Sequence, residues 1–220
     1  MKALVTGGSR GIGLAIAERF RSEGVEVVSP SRAELDLASA TSVEAFLAKP
    51  ENRAFDIIVN NAGENIILPL QDIPVETWRH THTVNLESPF RIMQANIPHF
   101  KNAGWGRVVN IASIYGLVSR EGRGSYSSTK AALISLTRTA AIELGAYGVL
   151  VNAVCPGFIE TELTRKNNPP EVLAKLIDQV PLKQLGQPED VANLVWFLCS
   201  SENKFINGQS LVIDGGFLAQ

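Results

Sequence analysis

A short apolar run, Ala3-Leu4-Val5, ends at Thr6 and leads at once into Gly7-Gly8-Ser9-Arg10-Gly11-Ile12-Gly13. An amphipathic pattern then continues from Ile12 to Arg21 and stops at Gly24. Strand, glycine-rich turn and helix in that order present backbone N–H groups and a positive helix end to a phosphate. Glycine is needed there because a side chain would hold a pyrophosphate off the backbone. The spacing, Gly-x-x-x-Gly-x-Gly, is wider than the commonest fingerprint. Its place between a strand and a helix nonetheless predicts dinucleotide binding over a merely structural turn.

Further apolar runs follow the same plan. Val25 to Ser29, Phe55 to Asn60, Gly106 to Ala112, Val149 to Cys155 and Ser210 to Ile213 read as strands, separated by helix-period stretches. The alternation predicts an α/β, doubly wound, mostly parallel sheet between two helical layers, in one dinucleotide-binding domain spanning residues 1–220. One connection is too short. Only Pro30 to Glu34 separates the second strand from Leu35-Asp36-Leu37, where a parallel crossover needs about a dozen residues. The third strand is therefore expected to be a stub or missing. Thr41-x-x-Glu44 reads as a capping box opening a helix to about Lys49. Between Pro74 and Phe100, Pro89 and Pro98 are expected to mark a kink and an end.

Tyr126-Ser127-Ser128-Thr129-Lys130 opens a further helical run, and positions four apart share a helix face. A positive charge beside a phenol favours the phenolate, which would make Tyr126 a proton donor and acceptor near neutral pH. Alone, the pair reads as a solvated face rather than a catalytic one. Ser113 lies at the carboxyl end of the Gly106 to Ala112 strand, where open α/β sheets bind ligands. Its hydroxyl can steady a carbonyl oxygen as charge develops. A nucleophilic role is disfavoured, since Gly-x-Ser-x-Gly is absent and no histidine stands at a recognisable partner position.

Acidic and basic residues nearly balance, at 22 and 20, which disfavours nucleic acid and acidic membrane surfaces as partners. Cys155 and Cys199 sit in apolar runs without metal-ligand spacing and read as buried thiols of a reducing compartment. A strand at the N-terminus leaves no place for a signal peptide, and no apolar run reaches the ~18 residues of a membrane span. A cytoplasmic protein is expected. His80 and His82 read as ordinary helix residues.

Thr-Gly-x-x-x-Gly-x-Gly, Asn60-Asn61-Ala62-Gly63, Asn85, Ser113, Tyr126-x-x-x-Lys130 and Pro156-Gly157 occur in order over nearly the whole chain. Together they resemble the short-chain dehydrogenase/reductase family, and most closely its 3-oxoacyl-acyl-carrier-protein reductase members. The resemblance implies a catalytic set of Asn85, Ser113, Tyr126 and Lys130 for carbonyl reduction or alcohol oxidation. Asn85 would bend its helix and hold a water linked to Lys130. The implied cofactor contacts are Thr6, Gly7, Ser9, Arg10, Gly11, Ile12 and Gly13 in the first loop. They continue through Asp36 and Leu37 at the adenine and Asn61, Ala62 and Gly63 beyond the next strand. Tyr126 and Lys130, then Pro156, Gly157, Ile159 and Thr161, complete them at the nicotinamide. After the second strand stand Ser31 and Arg32, with no acid before Glu34, and Arg10 approaches the same place. Arginine there suits a ribose 2′-phosphate, so NADP(H) is expected over NAD(H).

A sugar-nucleotide epimerase or dehydratase shares the tyrosine and lysine, but such enzymes carry a larger C-terminal domain. A non-catalytic NADP-binding sensor would have no use for the full set. The expected substrate is a carbonyl or alcohol, with a 3-oxoacyl thioester as one candidate among small ketones, sugars and quinones. Gly104 and Tyr147 stand where the acyl-carrier reductases have docking arginines. Arg120 and Arg123 either attract an anionic substrate or are solvated. Residues at about 158–186 read as a substrate cover with one helix near Glu171 to Gln179. The family also implies a homotetramer or homodimer.

Overall fold

Alternation along the strands sends apolar side chains to two opposite faces, and helices cover both. The computed structural model describes residues 1–220. Its strands are β1 (Lys2–Val5), β2 (Glu26–Val28), β3 (Ile57–Asn60), β4 (Gly106–Ile111), β5 (Val149–Pro156) and β6 (Ser210–Ile213). They form one parallel sheet in the order β2-β1-β3-β4-β5-β6. The helices are α1 (Gly11–Ser22), α2 (Ala40–Ala48), α3 (Val75–His82), α4 (Ser88–Ala103), α5 (Gly124–Leu144), α6 (Glu162–Asn167), α7 (Pro170–Gln179) and α8 (Pro188–Cys199). None is long and apolar enough to cross a membrane.

Leu4, Ile58, Val108 and Val151 face α2, α4 and α5, where Phe46, Phe100 and Leu144 complete one core. Ala3, Ile57, Val59 and Val109 face α1 and α8, where Ile16, Phe20, Val195 and Leu198 complete the other. The Phe20 ring meets Trp196 edge-on at 5.5 Å, joining the two helices of that layer. Truncating a buried phenylalanine of this kind costs ~3–5 kcal/mol. The chain passes from β1 outward to β2 and then back across to β3. The connections leaving β1 and β3 therefore run to opposite faces of the sheet, α1 on one and α4 on the other, opening a crevice at its carboxyl edge.

No strand forms at Leu35-Asp36-Leu37, as the short connection predicts. Leu35 and Leu37 instead bury themselves in the core beside Val43 and Phe46. Three expectations need correction. The cap of α2 is Ser39, whose hydroxyl accepts from the Ser42 N–H at 3.2 Å, not Thr41. The Asp36 turn delivers the chain earlier than the Thr41 motif implies, with the Asp36 N–H donating to Ser42 Oγ at 2.9 Å. Pro98 does not end its helix. α4 runs through it to Ala103 and closes on Gly104 in the left-handed region, because fully buried Phe100 holds the last turn against the sheet. Finally, the segment after Ile159 carries two helices, α6 and α7, where one was expected.

Candidate active site

Two turns, one after β1 and one after β3, are tied together at the crevice. Thr6 Oγ1 accepts from the N–H groups of Asn61 and Ala62 at 3.0 and 3.1 Å. Asn61 Nδ2 donates back to the Thr6 carbonyl at 2.9 Å. Gly13 packs against the same junction: a Cβ there would lie 2.2 Å from the Gly7 carbonyl oxygen, so only glycine fits. Gly11 takes φ +53° at the first position of α1. No side chain caps that helix end and no acid occupies its first turn. Its N–H groups are thus free to bind an anion, which suits a pyrophosphate.

Beyond β2 the loop turns its first acid, Glu34, away from the crevice. Glu34 accepts from the Ser31 N–H and hydroxyl, both at 2.8 Å, and these bonds hold its carboxyl below the usual range. Ser31 and Arg32 line the crevice instead. The Arg32 side chain is 74% exposed, with Nε 3.5 Å from Asp36, and Arg10 is 73% exposed, 3.3 Å from Glu162. Such screened pairs are worth ~0–1 kcal/mol and yield readily to a phosphate.

The crevice deepens into a cleft of about 650 Å³ that contains every expected cofactor residue together with Ser113, Tyr126 and Lys130. Tyr126 and Lys130 lie on the first two turns of α5. Lys130 Nζ donates to the Ile111 carbonyl at 2.7 Å, fastening the helix to the end of β4 just before Ser113. Behind them Asn60 Nδ2 donates to Asn110 Oδ1 and Asn110 Nδ2 to Thr137 Oγ1, linking β3, β4 and α5.

Asn85 does not line the cleft. It sits in a π-turn, Thr83–Glu87, between α3 and α4, with Pro89 in the turn that follows. There Asn85 Nδ2 donates to the Glu64 carbonyl and Thr129 Oγ1, while Oδ1 accepts from the Glu64 N–H at 2.8 Å. The bend is as expected, and its asparagine braces the Gly63 loop against α5.

The expected electrostatics of Tyr126 are different in the chain itself. Its phenol is pushed up, not down, because desolvation outweighs the Ser113 hydrogen bond and the Arg123 charge, which both lower it. By area Tyr126 is only partly buried, since it faces the cleft, but protein surrounds it closely enough for burial to dominate. Lys130 commits one ammonium N–H to the Ile111 carbonyl and lies 5.7 Å from the centre of the Tyr126 ring. Burial brings that ammonium down to about 8.

Two lining residues escaped sequence reasoning in different ways. Phe158 stacks edge-on with Tyr115 and Phe217, forming an aromatic wall from three distant segments. Arg123, left open between solvated and anion-attracting, is buried at the start of α5.

The chain matches a family model described as enoyl-(acyl carrier protein) reductase over residues 29–218. It is 39% identical to a 3-oxoacyl-acyl-carrier-protein reductase of Aquifex aeolicus, over 97% of this chain and 96% of that protein. It is 34% identical to a D-beta-hydroxybutyrate dehydrogenase of Rhizobium meliloti, over 99% and 98% of the two. A crystal structure of a putative NAD(P) dependent gluconate 5-dehydrogenase from Beutenbergia cavernae, with bound NADP, superposes with TM-score 0.91. That protein is 30% identical, with 100% and 97% of the two chains covered.

Proposed function

The chain belongs to the short-chain dehydrogenase/reductase family, oxidoreductases acting on CH–OH and C=O groups, and from that premise we propose an NADP(H)-dependent carbonyl reductase and alcohol dehydrogenase. The observation that carries this reading is the meeting of Ser113, Tyr126 and Lys130 with an uncapped glycine turn in one cleft. The donor set fits the dinucleotide: free N–H groups at α1 for the pyrophosphate, and Arg32 with Arg10 for a 2′-phosphate. When bound, NADPH supplies a hydride to the carbonyl carbon.

The protein's own part is position and protons. Ser113 Oγ and Tyr126 Oη take the substrate oxygen between them, Ser113 steadying its growing charge. Tyr126 gives its proton to that oxygen in reduction and accepts it back in oxidation. Lys130 holds the end of β4 and a positive charge behind the phenol. Asn85 fixes the Gly63 loop beside Lys130, where a water would return the proton to the lysine. Candidate substrates are a 3-oxoacyl thioester or a small ketone, in a single-domain cytoplasmic protein. Exposed Ile142 and Phe90 on α5 and α4 support assembly as a homotetramer or homodimer.

Tyr126→Phe tests the assignment. Turnover is expected to fall ~10²–10⁴-fold while NADPH binding, followed by its fluorescence, stays unchanged. A variant keeping most of its kcat would overturn the proposal.

A further inference from the structure

Arg123 is only 7% exposed, yet its guanidinium has no carboxylate partner and Nη1 has no hydrogen-bond partner at all. Buried arginines are normally paired, because an uncompensated charge away from water is costly. Its nearest compensation is the face of Tyr115, with Cζ 5.4 Å from the ring centre. A ring face attracts the cation but accepts nothing from N–H groups that lie in the guanidinium plane.

The residue lines the cleft, three positions before Tyr126 on the same helix start. The cleft's acids are already engaged: Asp36 by Arg32, Glu162 by Arg10, and Glu64 by His80 at 2.8 Å. Lys130 is occupied by the Ile111 carbonyl. Arg123 alone among the buried charges of the cleft is left without an acceptor.

We propose that Arg123 binds a carboxylate of the substrate, so that the enzyme acts on short oxo acids and the corresponding hydroxy acids. This rests on the reductase reading and narrows its substrate class. A planar carboxylate takes two parallel N–H bonds from a guanidinium, a geometry that neither a neutral ketone nor an ester carbonyl reproduces. Two relatives, a D-beta-hydroxybutyrate dehydrogenase and a putative gluconate 5-dehydrogenase, are named for substrates that carry a carboxylate.

The test compares 3-oxobutanoate and 2-oxobutanoate with their methyl esters, using NADPH and the full chain. Wild-type enzyme is expected to favour an acid over its ester in kcat/KM by about 100-fold, the worth of a buried charged hydrogen-bonded pair. Arg123→Gln should abolish that preference mainly through KM, and Arg123→Lys should retain part of it. Because Arg123 also influences Tyr126, both substrates will share any change in proton transfer, and the acid-to-ester ratio isolates the carboxylate contact.

An unchanged ratio in Arg123→Gln overturns the proposal, as does a wild-type preference for esters. Calorimetric binding of 3-hydroxybutanoate to Tyr126→Phe with NADP+ gives a second reading that needs no turnover. Binding lost on adding Arg123→Gln supports the contact, and binding that is absent or insensitive refutes it. Failure of the reductase reading looks different: Tyr126→Phe would remain active, whatever the acid-to-ester ratio.

Discussion

Asn85 Oδ1 and Lys130 Nζ flank one point in the cleft wall, the place where Gly63 lacks a Cβ, at 3.2 and 3.4 Å. The π-turn and α5, elements far apart in the chain, thus converge on a single glycine. A methyl group there is tight but not impossible, so the neighbours would give way by a few tenths of an ångström. Gly63→Ala is expected to fold, with a melting midpoint lowered by no more than ~4 °C, the effect of about 1 kcal/mol in a chain this long. Its kcat should fall ~10-fold, because misplacing a catalytic group by a fraction of an ångström is costly. Unaltered kcat would detach Lys130 and Asn85 from the chemistry.

Lys130 makes stability depend on pH in an unusual direction. Unfolded, it keeps its proton up to the usual 10.5; buried, it releases it at about 8. Between those values the unfolded chain binds more protons, so this contribution to stability rises with pH. Below about pH 8 the buried charge costs roughly 3 kcal/mol, at 1.36 per pKa unit. Urea melts of wild type and Lys130→Met from pH 7 to 10.5 should show the wild-type-minus-variant difference climbing by ~2–3 kcal/mol. A flat difference would mean the ammonium is not desolvated.

Ser113 should matter to acidity as well as to rate. Its hydrogen bond lowers the Tyr126 pKa against the upward pull of burial. In alcohol oxidation Tyr126 must accept a proton, so activity rises with pH through that pKa. Ser113→Ala is expected to move the rising limb of kcat/KM to higher pH and to lower kcat by ~10²-fold or more. A limb that stays in place would show that Ser113 only holds the substrate.

Cofactor choice should rest chiefly on Arg32, with Arg10 beside it. Arg32→Ala is expected to raise the KM for NADPH ~10–100-fold, the worth of charge-assisted bonds to a phosphate. The KM for NADH should stay within ~2-fold, since the pair lost with Asp36 is screened by solvent. Equal effects on the two cofactors would sink the assignment.

Local chemistry made much of this structure legible in advance. Gly13 has to be glycine because of the Gly7 carbonyl, and five residues from Pro30 to Glu34 cannot span a crossover, so the glycine turn and the truncated sheet edge were both readable. What escaped depends on distant packing. Pro98 stays inside α4 because Phe100 is anchored by the sheet, and Thr41 loses the cap to Ser39 because the Asp36 turn sets where α2 begins. The direction of the Tyr126 shift and the burial of Arg123 follow from how much protein closes around the cleft, which spacing along the chain does not encode.

The absence of a strand at Leu35-Asp36-Leu37 has a consequence for the chain's behaviour among its own copies. Losing a strand ordinarily lays open a row of unpaired N–H and C=O groups that another chain can extend. Here the exposed border is β2, three residues long, beginning at charged Glu26 and followed within two residues by Pro30, which has no N–H to donate. Ser29 between them turns its hydroxyl inward to the Val5 carbonyl at 3.1 Å. The sheet has been shortened at a border too brief and too interrupted to serve as a template for aggregation.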